Sequence, residues 1–343
     1  MLRSMPGHWS RVPMALPPGQ YAKSGKPFKN SFSLRSVVMS PRKPPTGTLQ
    51  SESFFWNGQS GGTFRGLRIL VDNTAAEGLM VEHGFSVQID AGGKKILMDT
   101  GQGHALEQNA EACGFELADA DIFVLSHGHY DHTGAVDVVL GENPEIQVYG
   151  HPKIFSERFS IYPGRDPKEI SMPAEQRLLV ANLTDSHLHW VREPMEIAPG
   201  VGLTGPIPRS HTLEDTGGPF FCDREGLRPD PIRDDMAMWI ETPDGLLVVC
   251  GCCHSGLINT LDYIRDTTGG KPVLGIIGGL HLKSATEERL AATVGALREF
   301  APAFMVPCHC TGEAAVNCFR DHLDAEIISG FAGFNMRWRK NDE

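Results

Sequence analysis

No stretch of the chain approaches the roughly 20 consecutive apolar residues that a membrane-crossing helix needs. Positive charge is in deficit as well: 31 Lys and Arg stand against 42 Asp and Glu, a net charge of −11. A balance this acidic argues against broad nucleic-acid binding, which wants a basic surface. Acid itself is missing from residues 1–51, which carry eight Lys or Arg among many Pro, Ser and Gly. No periodic apolar pattern appears there, so residues 1–62 are expected to be a disordered extension. Such an acid-free N-terminus also fits organelle import, and an over-extended start upstream of Met39 fits it equally well. Spaced cysteines of the kind that staple small secreted domains are absent too. Five of the eight cysteines crowd around His254 and His309. With no clear signal peptide, that usage points to a reducing, cytoplasmic compartment.

What the chain does have is ordinary globular material, 41% hydrophobic and 21% charged, in which regular patterning begins at Gly66. Residues 63–343 are expected to form one catalytic domain, since α/β sandwiches of this length are often a single unit. Leu67–Val71, Phe85–Ile89 and Lys95–Met98 read as strands, with Ala91-Gly92-Gly93 turning between the last two. Ile122–Leu125, Ile146–Tyr149, Leu178–Ala181, His187–Trp190 and Gly202–Gly205 also read as strands. Helices are expected over His104–Cys113 and Gly134–Leu140, and Pro152–Gln176 reads as an insertion. Thr212–Arg233 reads as a long loop of the kind that often serves binding. Beyond it, strands Ala237–Glu241, Leu246–Cys250, Val273–Ile277 and Ala303–Val306 alternate with helices Leu257–Ile264, Glu287–Phe300 and Glu313–His322. The last three of those strands each run into a His-bearing loop, as an open α/β sheet gathers ligands at strand carboxyl ends.

The chemistry concentrates in Ser126-His127-Gly128-His129-Tyr130-Asp131-His132. A buried strand ending in His-x-His-x-Asp-His delivers three imidazoles and one carboxylate, donor types suited to zinc, iron or manganese. Loop spacing lets His127 and His129 point one way and Asp131 and His132 another, which suits two adjacent ions better than one closed structural site. Two such ions would dominate the local field, so an anionic small-molecule substrate remains compatible with the acidic chain. Cys308-His309-Cys310 is spaced too tightly for the usual Cys-x2-Cys pairing of a structural zinc.

From about Leu67 onward the sequence resembles the metallo-β-lactamase superfamily. The likeness rests on this loop, Leu97-Met98-Asp99-Thr100-Gly101, Val71-Asp72-Asn73 and Glu82-His83-Gly84. It extends to Gly251-Cys252-Cys253-His254, Gly279-Leu280-His281 and Pro307-Cys308-His309-Cys310. Together these are similar to the subgroup of metal-dependent hydrolases that includes 7,8-dihydropterin-6-methyl-4-(β-ribofuranosyl)aminobenzene 5′-phosphate synthase-like proteins. The resemblance implies a four-layer αββα sandwich. It implies His127 and His129 on one ion, Asp131, His132 and His309 on the other, and Asp99 orienting an imidazole. A third imidazole for the first ion is offered by His254 or His211; the strand leading straight into the site favours His254. Cys252 stands where most relatives carry a bridging Asp, and is either a thiolate ligand or a buried small residue. His281 occupies a position that transfers protons in some relatives, a role Asp131 could share. His83, Arg209 and Lys283 are candidates for substrate contact.

The expected activity is hydrolysis of an ester, thioester, lactone or phosphodiester by a metal-bound hydroxide. The alternative is the pterin-diphosphate-dependent transferase chemistry of the subgroup's namesake. A mononuclear iron dioxygenase or a non-catalytic binding module follow behind. The last would be expected to have lost some of the ligands retained here.

Overall fold

The computed structural model describes residues 53–58 and 62–340. Two large sheets dominate. The first orders its strands Ser53–Gly58, Asn335–Lys340, Gly66–Val71, Ser86–Ala91, Lys94–Met98, Ile122–Val124, Gln147–Gly150 and Leu188–Trp190. The second runs Met195–Ala198, Val201–Leu203, Ala237–Thr242, Gly245–Cys250, Val273–Gly279, Phe304–Cys308 and Glu326–Ile327. Side-chain alternation along each strand sorts the apolar residues into layers. Ile96, Met98 and Val124 face Met238, Leu247, Val249, Ile277 and Val306 in the space between the sheets. Leu97, Phe123 and Leu125 turn outward onto helices Leu106–Ala112, Val136–Glu142 and Ala174–Ala181. Val248, Ile276 and Met305 do the same on the other side, under helices Leu257–Thr267, Glu287–Phe300 and Glu313–His322. The result is the αββα sandwich, with three buried apolar layers. Among the described residues, no helix is long and apolar enough to cross a membrane.

Three expectations change. Leu178–Ala181, read as a strand, belongs to the helix Ala174–Ala181. Its buried residues Gln176 and Val180 are four apart, a helical spacing that the short apolar run Leu178-Leu179-Val180 conceals. Within the expected loop Thr212–Arg233, Phe220–Phe221 forms a short strand against Phe159–Ser160, which also pairs with Lys168–Glu169. The insertion and the loop thus make one small sheet. Finally, Ser53–Gly58, inside the stretch assigned to the extension, is a strand lying parallel to Asn335–Lys340. Phe54 and Trp56 pack their rings 5.4 and 5.3 Å from that of buried Phe304. The remaining residues assigned to the extension, 1–52 and 59–61, lie outside the described ones.

If this strand contributes packing energy, Trp56→Ala should lower unfolding free energy by roughly 1–3 kcal/mol, the usual range for a half-buried contact. Phe304→Ala, at the centre of the same contact, should cost about 3–5 kcal/mol. Urea unfolding reads both, and unaltered stability in the Trp56 variant would show that the strand merely rests on the domain.

Candidate metal centre

The centre is built from the loops that leave the carboxyl ends of five strands across both sheets. Strand Lys94–Met98 ends at Asp99, a non-glycine residue at φ 60°. Its fully buried carboxylate accepts from the Ser126 backbone N–H at 2.8 Å, from Ser126 Oγ at 2.6 Å, and from His132 Nδ1 at 2.7 Å. Ser126 Oγ in turn lies 2.9 Å from His127 Nδ1. One carboxylate therefore fixes two imidazoles, one directly and one through a hydroxyl, and leaves the Nε2 atom of each facing the site. Burial would lower the His132 pKa, but Asp99 outweighs it and raises the pKa above the ordinary value. Gly128, between the first two histidines, has no space for a side chain because a Cβ would run into the Ile154 carbonyl. Its N–H donates to Asp234 Oδ2 at 2.8 Å.

His127, His129 and His254 form one imidazole set. Their ring centroids lie 4.5, 4.8 and 4.9 Å apart. His127 Nε2 is 2.9 Å from His129 Nδ1. His254 Nδ1 donates to the Thr216 carbonyl at 2.7 Å, which leaves its Nε2 as the lone-pair nitrogen. That atom and His129 Nε2 are buried without any protein partner. Burial pushes all three imidazoles well below their ordinary pKa, so they are neutral and able to coordinate at pH 7.

Asp131, His132, His309 and Cys252 form the second set. His132 Nε2 lies 3.3 Å from His309 Nε2 and 3.1 Å from Cys252 Sγ. Asp131 Oδ2 lies 3.7 Å from His309 Nε2. His309, at φ 51°, is held by its own backbone: its N–H donates to Asp72 Oδ1 at 2.8 Å, and its carbonyl accepts from Asn73 Nδ2 at 2.8 Å. Its Nδ1 lies 3.1 Å from Asn73 Oδ1, so Nε2 faces the site. Burial would raise the Asp131 pKa, but the His83 hydrogen bond and the neighbouring imidazoles hold it well below the usual carboxylate range. Cys252, 2% exposed, has its sulfur within 4.8 Å of donors from His127 and His254 and of donors from His132 and His309. Orphaned buried nitrogens, converging imidazoles, a carboxylate beside His309 and a thiol between the two sets are a donor set that fits transition-metal ions.

The other expected residues divide. His83 sits at the mouth, its side chain 54% exposed, with Nε2 3.2 Å from Asp131 Oδ2 and its ring stacked 5.3 Å from that of His309. His281 reaches the cluster with its ring 4.3 Å from that of His254, and burial pushes its pKa down to about 4. Lys283, two residues further on, is exposed. Arg209 differs from the expected substrate contact: its guanidinium donates to the carbonyls of His254 and Pro231, each at 2.6 Å. It braces the His254 turn from behind. His211 makes none of the ring contacts of the cluster, and its backbone N–H is tied to Asn259 Oδ1 at 2.9 Å.

Two contributors gave no signal in the sequence. Arg158, in the insertion and 1% exposed, donates to Asp230 Oδ2 at 2.8 Å and pairs with Asp234, the residue that holds the Gly128 N–H. Phe220, from the small sheet, places its ring 5.4–5.7 Å from those of His129, His254 and His281. A lone Arg and a Phe-Phe pair in Pro- and Gly-rich segments carry no periodicity that would reveal them.

The sandwich and its paired ligand sets define a metal-binding member of a hydrolase-rich class, and the chain belongs to the metallo-beta-lactamase superfamily, whose pattern residues 80–226 match. An uncharacterised protein of Methanocaldococcus jannaschii is 32% identical over 254 residues, spanning 73% of this chain and 92% of that protein. The 7,8-dihydropterin-6-methyl-4-(beta-D-ribofuranosyl)-aminobenzene-5′-phosphate synthase of the same organism is 28% identical over 264 residues, 74% of this chain and 88% of the synthase. Among solved structures, a metal-dependent hydrolase of the beta-lactamase superfamily superposes with a TM-score of 0.68 at 28% identity. It covers 79% of this chain and 98% of its own.

His254→Ala should lose bound metal on dialysis, whereas His211→Ala should retain it; the opposite pattern, read by elemental analysis, would exchange the two assignments. Asp99→Ala should weaken metal affinity about 10–100-fold through its two imidazoles, as losses of such supporting partners do. Competition with a chelator measures that change.

Proposed function

We propose that the protein is a metal-dependent hydrolase acting on a small anionic substrate with an ester, thioester, lactone or phosphodiester centre. The observation that carries this reading is the pair of adjoining ligand sets, His127/His129/His254 and Asp131/His132/His309, with Cys252 placed between them. When bound there, divalent ions lower the pKa of water toward neutrality and supply Lewis acidity to a reacting oxygen. Zinc suits the mixed nitrogen and sulfur donors best, with iron next.

The chain's own residues do the rest. His83 stands at the open side, half in solvent and 3.2 Å from Asp131 Oδ2, where it can receive a proton and pass it outward. His254 is held in one tautomer by Thr216, on the same loop whose Phe220 covers the cluster and excludes water from that side. His83 and Lys283 lie exposed near the ligand loops and would meet an anionic group of the substrate.

A second reading is favoured by the named synthase relative at 28% identity. In it the same centre holds a pterin diphosphate while pyrophosphate leaves and an aminobenzene ribosyl phosphate accepts the pterin methyl group.

Purified protein loaded with zinc should hydrolyse at least one member of a panel of activated phosphodiesters, thioesters and lactones with water as sole acceptor. On that substrate, His83→Ala should lower kcat by roughly 10²–10⁴-fold while metal content stays at the wild-type level. Silence on the whole panel, with pyrophosphate released only when pterin diphosphate and the aminobenzene acceptor are both supplied, would replace hydrolysis by transfer.

A further inference from the structure

Three neighbouring parallel strands of the second sheet, Gly245–Cys250, Val273–Gly279 and Phe304–Cys308, stand in register, Cys250 opposite Gly278 and Gly279 opposite Cys308. Each chain runs two residues past its strand and there presents a metal-binding group: Cys252, His281 and Cys310. The ligand atoms of all three lie within 4.8 Å of one another. Neither imidazole set described above uses His281 or Cys310, so the site contains more ligand-type groups than two ions of the usual kind require.

Several details indicate what these groups are for. The two sulfurs are 3.3 Å apart, close enough for one ion to span. The backbone N–H of His281 donates to Cys310 Sγ at 3.3 Å, which fixes where that sulfur lies beside the imidazole. His281 Nδ1 is buried against the Gly217 backbone, which holds the ring at the strand end. Gly279 keeps the space open, since a Cβ there would lie 2.7 Å from Cys310 Sγ. His281 adopts φ 44° and Cys253, next to Cys252, adopts φ 56°, conformations that cost energy in residues other than glycine and that aim these loops inward.

We propose that Cys252, Cys310 and His281 form a thiolate-rich subsite that holds one soft divalent ion, zinc or ferrous iron, with Cys252 shared between it and the imidazole sets. Binding replaces the two thiol protons, which pass to solvent, by two metal–sulfur bonds and one metal–nitrogen bond, and leaves a fourth position open. Manganese and magnesium, which prefer oxygen donors, are excluded by the sulfur pair. The assignment concerns ion and donors only, so it stands or falls independently of whether the reaction is hydrolysis or transfer.

Cobalt provides the readout. The full-length protein is stripped of metal under reducing conditions and refilled with cobalt, and the near-ultraviolet sulfur-to-cobalt absorbance is recorded together with bound cobalt per chain. Cys310→Ser should remove about half of that absorbance, Cys252→Ser at least as much, and His281→Asn should release cobalt along with the band. Zinc should displace the band and manganese should not. An unchanged band in Cys310→Ser, full cobalt retention in His281→Asn, or displacement by equimolar manganese would each overturn the subsite. Should the Cys310 variant not fold, X-ray absorption of wild-type protein carrying one equivalent of zinc decides. Two sulfur neighbours at about 2.3 Å are expected; one or none refutes the proposal.

Discussion

Everything at the metal face hangs on the Asp99 carboxylate. It lies at the carboxyl end of a central strand, fully buried, and holds the first and last imidazoles of the ligand loop in fixed tautomers through Ser126 and His132. Buried charge without partners is expensive, whereas three short hydrogen bonds to one carboxylate make its burial tolerable. Remove it and two imidazoles lose their orientation together. The intersheet core behind it, where Met98 and Val124 pack against the second sheet, prevents the strand from shifting to compensate.

Around that anchor the backbone is held in unfavourable conformations at several of the strand ends that face the site. Asp99, Cys253, His281 and His309 all carry positive φ without being glycine. Each such residue costs on the order of 1–3 kcal/mol and persists only where surrounding structure over-determines it. Here the strands behind them are buried on both faces, and the loop backbones are tied down by Asp72, Asn73 and Asp235. Rigidity is thereby concentrated at the face where ligand atoms must converge before an ion arrives.

The insertion supplies a second kind of support. Arg158 takes a charge into the interior and is compensated there by Asp230 and Asp234, and Asp234 also grips the ligand loop at Gly128. Breaking such a buried pair typically costs more than forming it gains, so the network acts as a lock between insertion and ligand loop rather than as a source of stability. The small sheet that places Phe220 over the imidazoles completes the same wall.

Local sequence was sufficient for most of the first sheet, the strand–helix alternation of the last third, and the His-x-His-x-Asp-His loop, because each depends on near-neighbour periodicity and spacing. It misjudged Leu178–Ala181, where four apolar and small residues fit strand and helix alike and only the packing of Val180 selects the helix. It could not see that Ser53–Gly58 pairs with residues some 280 positions away, since parallel pairing leaves no mark in either segment. The same limit applied at the site. Donor types were legible in the chain, and the strand running into the site already favoured His254 over His211; its meeting with His127 and His129 depended on which loop the second sheet brings against the first. The withdrawal of Arg209 onto backbone carbonyls and the meeting of Cys252 with Cys310 are likewise long-range outcomes. Spacing along the chain determines which groups one loop can offer; the register of the strands and the packing of the sheets decide which loops meet.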